Sequence, residues 1–163
     1  MNVKPIGASL AQTLILLLVM VPPMWVKATG TVVHLETEKM DPRSLFRGDY
    51  VILGYRLAQS ILSDADQRSP EHRRKPVYVT VTTDRPARFV RYGFSPPDLQ
   101  PGQACLVGRV RGWNGSVDFP QIAQFFVPEG TGREIERARG ENLLAKVATS
   151  SECNAVLLGL EPR

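Results

Sequence analysis

The sequence is poor in the residues that most site chemistry needs. Among 163 residues there are two cysteines, two histidines and two tryptophans, and aromatic residues make up 7%. Two cysteines cannot build a disulfide-dense scaffold, and Cys105 and Cys153 have no C-x-x-C or Cys/His spacing that would hold zinc. His34 and His72 stand far apart, so no metal centre is expected. No internal repeat is visible, and 13 glycines and 13 prolines are too few for a collagen-like or low-complexity chain. Acidic residues are missing from the first 30 positions, where Lys4 and Lys27 lie. After Gly30 the formal +4 charge falls to 18 basic against 16 acidic residues, which gives no argument for a nucleic-acid partner. What is present, 43% hydrophobic and 22% charged residues, suffices for one domain with a core and excludes a disordered chain.

One long apolar run occurs. Between Lys4 and Lys27 lie 22 uncharged residues, and Leu10 to Val21 is interrupted only by Gln12 and Thr13. At about 1.5 Å per residue this stretch reaches about 33 Å as a helix, enough to cross hydrocarbon. Pro22-Pro23 is expected to end the helix. Val26-Lys27-Ala28 offers a small-residue pattern for signal-peptidase cleavage after Ala28. Trp25 beside Lys27 instead suits an uncleaved anchor at the headgroups, and this is the preferred reading. Residues 1–28 are thus expected to be a membrane anchor or signal peptide, and 29–163 an exported domain. The corresponding location is a single pass through a bacterial inner membrane, with the C-terminal domain in the periplasm.

After Gly30 the pattern changes to short runs rich in Val, Tyr, Phe and Leu, separated by Pro, Gly and Asp. Thr31 to Leu35, Tyr50 to Ala58, Val77 to Thr83, Arg88 to Phe94, Ala104 to Trp113, Ile122 to Val127, Leu143 to Thr149 and Ala155 to Leu160 read as strands. The expected fold is mainly β, an antiparallel barrel or sandwich-like domain with one short helix in the C-terminal half. Thr131 and Glu134 form a capping box for that helix, over Arg133 to Arg139. Gln59 to Lys75 reads as an exposed excursion and Ser95 to Gln103 as a Pro-rich turn region.

Asp41 to Tyr55 reads DPRSLFRGDYVILGY. Asp41-Pro42 suits a tight turn or helix start, and Gly48 permits a sharp entry into a strand. Asp49 stands at that entry, where it can accept backbone N–H bonds or pair with Arg43 or Arg47. Alternation then places Val51, Leu53, Tyr55 and Leu57 on an expected core face, with Tyr50, Ile52, Gly54 and Arg56 on the other. Gly48 to Tyr55 matches the motif that names the GDYXXLXY family of bacterial proteins, and DPRSLFR before it resembles that family too. A second block, Phe125 to Gly130 (FFVPEG) followed by Gly132-Arg133-Glu134, is similar to the family's aromatic-Val-Pro-Glu-Gly signature. Pro128, Glu129 and Gly130 belong to it. The resemblance implies a membrane-anchored protein and no particular activity or cofactor.

Met40 to Asp49 also resembles the nucleophile segment of signal peptidases, with one extra residue. Lys39 stands where the serine would be, Ser44 falls at the motif's threonine, and Lys75 in the charged HRRK run is the one plausible base. Without the serine no acyl transfer follows. Glu71 to Lys75, His72 included, reads as a solvated loop. Cys105 and Cys153 are either a disulfide, in an oxidising compartment, or two buried thiols. The leading expectation is a non-enzymatic envelope protein that binds a protein or envelope partner, with Tyr50, Gly54 and Arg56 as candidate contacts. The alternative is a degenerate signal-peptidase-like serine protease.

Overall fold

A computed structural model of the chain describes residues 3–38, 50–59, 61–63, 66, 69, 71–72, 75–111, 114–126 and 143–163. Among the described residues one helix, α1 (Val3–Thr29), precedes nine strands: β1 (Thr31–Glu36), β2 (Tyr50–Ile52), β3 (Pro76–Thr82), β4 (Phe89–Gly93), β5 (Gln103–Arg111), β6 (Ser116–Asp118), β7 (Gln124–Phe126), β8 (Leu143–Thr149) and β9 (Ala155–Pro162). They form antiparallel sheets in the orders β1-β8-β9, β2-β7 and β4-β3-β5-β6. The chain is therefore mainly β, as its alternating runs require. The short helix expected over Arg133 to Arg139 lies outside the described residues.

Period-two burial builds the core. Val33 and Leu35 of β1 and Ala145 and Val147 of β8 join Val77, Val79 and Val81 of β3 and Leu106 of β5 in one cluster, each fully shielded from solvent. Burying one such Val or Leu side chain is worth about 1.5–3 kcal/mol relative to leaving it in water.

α1 behaves in the opposite way. Its segment Gln12–Thr29 has a mean hydropathy of 1.4 and is long and apolar enough to cross a membrane. The large apolar side chains from Leu14 to Trp25 are 56% to 68% exposed. Such a surface is costly in water and costs nothing in lipid. The helix runs through Pro22 and Pro23, where the sequence reading expected it to stop. Each proline removes one N–H donor, yet the helix continues on either side of the pair. The helix stops at Gly30, whose N–H donates to the Val26 carbonyl at 2.9 Å. A Cβ on Gly30 would lie 2.5 Å from that oxygen and 3.0 Å from the Thr149 carbonyl, so only glycine allows so close an approach. Val26 is buried where the last turn of α1 packs on β8 and β9.

Three other expectations need correction. The run Tyr50 to Ala58 is a strand only to Ile52, and Arg56–Ala58 forms a 3-10 turn. Tyr55 and Ala58 are buried while Arg56 is exposed, so the turn aims two side chains inward where straight alternation cannot. The excursion Gln59 to Lys75 is not wholly exposed: Ile61 and Leu62 pack on the core, and their N–H groups both donate to the Gly115 carbonyl, at 3.0 and 3.1 Å. β6 had no counterpart among the expected strands, although Asn114-Gly115, with Gly115 at φ 68°, is a hairpin-turn signal.

Cys105 in β5 and Cys153 in the β8–β9 turn are joined in a disulfide, with Cα atoms 4.8 Å apart. The same junction is stitched by hydrogen bonds: Thr149 Oγ1 donates to the Cys105 carbonyl, and Val107 N–H donates to the Cys153 carbonyl at 3.1 Å. Cys153 takes a left-handed φ of 66°, held by its own N–H donating to the Ser150 carbonyl.

Candidate functional site

β1 begins beside α1, so its other end lies about six strand steps away, roughly 20 Å. There the chain is gathered by four contacts. Thr37 bridges Tyr55. Glu38 N–H donates to the Gly54 carbonyl at 2.8 Å. Thr37 donates to the Leu143 carbonyl twice, through its N–H at 3.1 Å and Oγ1 at 2.8 Å. Finally, Tyr50 pairs with Phe126 in the β2–β7 ladder. Glu38 and Tyr50 are the described ends of segment 39–49, and Phe126 and Leu143 those of segment 127–142. Both segments therefore start and finish at one end of the domain, opposite α1. Asp41, Arg43, Arg47, Gly48 and Asp49 belong to the first, and Pro128, Glu129 and Gly130 to the second. These eight lie outside the described residues.

Beside this junction is a groove of about 540 Å³, lined by Glu38, Gly54, Tyr55, Arg111, Asn114 and Asp118 among others. Its rim mixes the acidic, basic and amide groups of Glu38, Asp118, Arg111 and Asn114 with the half-buried backbone of Gly54.

Three candidate side chains divide by role. Leu53 packs against the core, and its N–H donates to the Ala123 carbonyl at 2.9 Å. The Tyr55 phenol donates to the Ile122 carbonyl at 2.6 Å, and its ring meets Phe119 edge-on with centroids 6.2 Å apart. Burial pushes this phenol well above its ordinary pKa, so it remains a donor throughout the physiological range. Arg56 points to solvent and pairs with Glu36 at 3.5 Å, a carboxylate that Arg163 also holds at 2.9 Å.

A second constellation escaped the sequence reading. Tyr92 OH and Ser63 Oγ donate to one oxygen of Asp66 at 2.6 and 2.7 Å, and His72 Nδ1 lies 3.0 Å from the other. These donors, Tyr92 first, hold the Asp66 carboxyl below its usual range. His72 stacks on Phe94 with centroids 4.0 Å apart, so it is no solvated loop residue. Although Ser, His and Asp are all present, the Ser63 hydroxyl is spent on the carboxylate. It activates no nucleophile and instead clasps the excursion to β4. Of the protease candidates, Lys39 and Ser44 lie outside the described residues and Lys75 is ion-paired with Glu71.

A family model described as GDYXXLXY protein matches residues 12–160, nearly the whole chain. The chain belongs to the GDYXXLXY family. No curated protein and no solved structure matches it. In this GDYXXLXY chain the last two named positions, Leu53 and Tyr55, build the fold. Gly48 and Asp49 lead into the ladder whose partner strand runs on into the second block. Sequence spacing hid this: Tyr50 and Phe126 are far apart along the chain and adjacent in the sheet.

Proposed function

We propose that this protein is a single-pass, uncleaved protein of the bacterial inner membrane whose domain, residues 29–163, stands in the periplasm and binds a protein or envelope partner without catalysis. Three features support it. The Cys105–Cys153 disulfide suits an oxidising compartment. Val26, Gly30 and the β8–β9 sheet fit together so closely that cleavage after Ala28 would remove a buried side chain from the domain. The observation that carries the reading is that the described residues bordering segments 39–49 and 127–142, namely Glu38, Tyr50, Phe126 and Leu143, come together at the end farthest from α1, through the Tyr50–Phe126 and Thr37–Leu143 contacts. Segments that carry a family's signature and share one end of a rigid scaffold are the usual place for recognition.

The test is photo-crosslinking in native membranes from a probe amino acid at Gln59 or Arg111, beside the groove. A discrete product that disappears on Tyr50→Ala supports the reading. No product from a full-length, oxidised chain, or the same product from the Tyr50→Ala chain, sinks it.

A further inference from the structure

α1 carries two polar side chains inside its apolar run, and the helix treats them differently. Thr13 Oγ1 donates to the Ser9 carbonyl one turn back, at 3.0 Å, so its hydroxyl is satisfied internally. Gln12 is exposed, and its amide has no hydrogen-bond partner among the described residues. Taking α1 as the membrane anchor proposed above, Trp25 and Lys27 mark the interface next to the domain. A hydrocarbon core of about 30 Å then takes about 20 residues back from Trp25, which leaves Gln12 about 10 Å inside the opposite boundary. That is too deep for so short a side chain to reach the headgroups. An amide at that depth needs a donor and an acceptor, and lipid tails supply neither.

We infer that α1 pairs with α1 of a second copy of this chain through Gln12. The primary amide carries both a donor and an acceptor, so two Gln12 side chains facing each other across a two-fold axis satisfy one another. The same patch then serves on both copies, with no other protein required. Leu16 and Val19 share the Gln12 side of the helix at i+4 and i+7, and both are among the exposed residues that such a contact covers. Leu14 and Val21 point the other way and remain against lipid.

Single cysteines placed in α1 of the full-length chain, oxidised in native membranes and resolved without reductant, test the pairing. Leu16→Cys and Val19→Cys chains are expected to give a product of twice the chain's mass, and Leu14→Cys and Val21→Cys chains little. Adding Gln12→Leu to the Val19→Cys chain is expected to lower the dimer about tenfold, the scale of one interhelical hydrogen bond, while Gln12→Asn retains it. Equal crosslinking from all four positions, a dimer unaffected by Gln12→Leu, or a product containing a different protein overturns the pairing and leaves the anchor intact. A chain recovered at a mass lacking residues 1–28 overturns the anchor itself, and the pairing with it.

Discussion

Where α1 enters the domain, Gly30 is wedged between the Val26 and Thr149 carbonyls, and a disulfide ties β5 to the β8–β9 turn. At the far end, the motif segments depart from a β2–β7 ladder of three residue pairs, held inward by the phenol of Tyr55 and braced by the Asp66 clasp. The first end is fixed by a covalent bond and by backbone contact without spare volume. The second rests on hydrogen bonds alone, from the backbone of Thr37, Glu38 and Leu53 and from the side chains of Thr37 and Tyr55. The contrast bears on the function proposed above: the junction with α1 sets how the domain stands on the helix, and the proposed partner contact is assigned to the end without a covalent tie.

The largest expected effect probes the α1 end. Replacing Cys105 and Cys153 by serine removes a cross-link with a sequence separation of 48 and is expected to cost about 4 kcal/mol by the chain-entropy relation. Urea unfolding of the full-length chain measures it. A loss under about 1 kcal/mol would mean that the disulfide is not what makes this end firm.

Next comes Gly30→Ala, which places a methyl group against two carbonyl oxygens and is expected to cost about 1–3 kcal/mol. Gly159→Ala is the control, because a Cβ there meets nothing within 4 Å, and its effect should stay within about 0.5 kcal/mol. Equal losses from the two substitutions would remove close packing as the explanation.

At the far end, Tyr55→Phe keeps the ring against Phe119 and deletes the donor to Ile122. Leaving that buried carbonyl unpaired is expected to cost about 1.5 kcal/mol. The two-end picture adds a sharper requirement, readable by amide exchange. Leu53, bonded to Ala123, should exchange faster in the variant, while Val107, bonded to Cys153 beside the disulfide, should not change. Faster exchange at both amides would merge the two ends into one unit.

Core strands were legible in the sequence because burial on one face writes period-two alternation, as in Val77, Val79 and Val81. The helix was legible for a different reason, a nearly unbroken apolar run of spanning length, up to Pro22-Pro23, where composition marks a stop and the helix runs on. After Ile52, alternation places Leu53, Tyr55 and Leu57 on the core face, where they do pack, but it does not reveal the turn over Arg56–Ala58, which contains neither glycine nor proline to mark it. The disulfide stayed open because pairing depends on a distance between Cα atoms that only the fold supplies. His72 looked solvated since Phe94 comes to it through β4. As for the candidate site, both motif blocks stand plainly in the sequence. Their adjacency does not, because it arises from antiparallel register between β2 and β7, which local pattern cannot encode. The β5–β6 hairpin is different in kind: its turn signal, Asn114-Gly115, stands in the sequence itself.

The smallest effect tests the clasp that braces the far end. Asp66 holds the segment after Leu62 to Tyr92, and Leu62 in turn bonds to Gly115 in the turn between β5 and β6, beside Asn114 and Ser116 of the groove wall. Since Tyr92 and Ser63 donate to the ionised carboxyl, its folded pKa lies below the unfolded value of about 3.9. Folding therefore favours the deprotonated form. The contribution is fully present above the unfolded value and is lost as pH falls through the folded one. The group is partly exposed, so solvent screening keeps the gain small. Acidifying from about pH 5 through and below the unfolded value of about 3.9 is expected to speed exchange of the Ser63 amide, which donates to Tyr92 OH at 3.0 Å, while Val107 beside the disulfide keeps its protection. Asp66→Asn should remove most of this pH response, because the amide cannot ionise and holds its two donors equally throughout. An unchanged acid response in the Asn variant would place the sensitivity in another carboxylate and leave the far end without this brace.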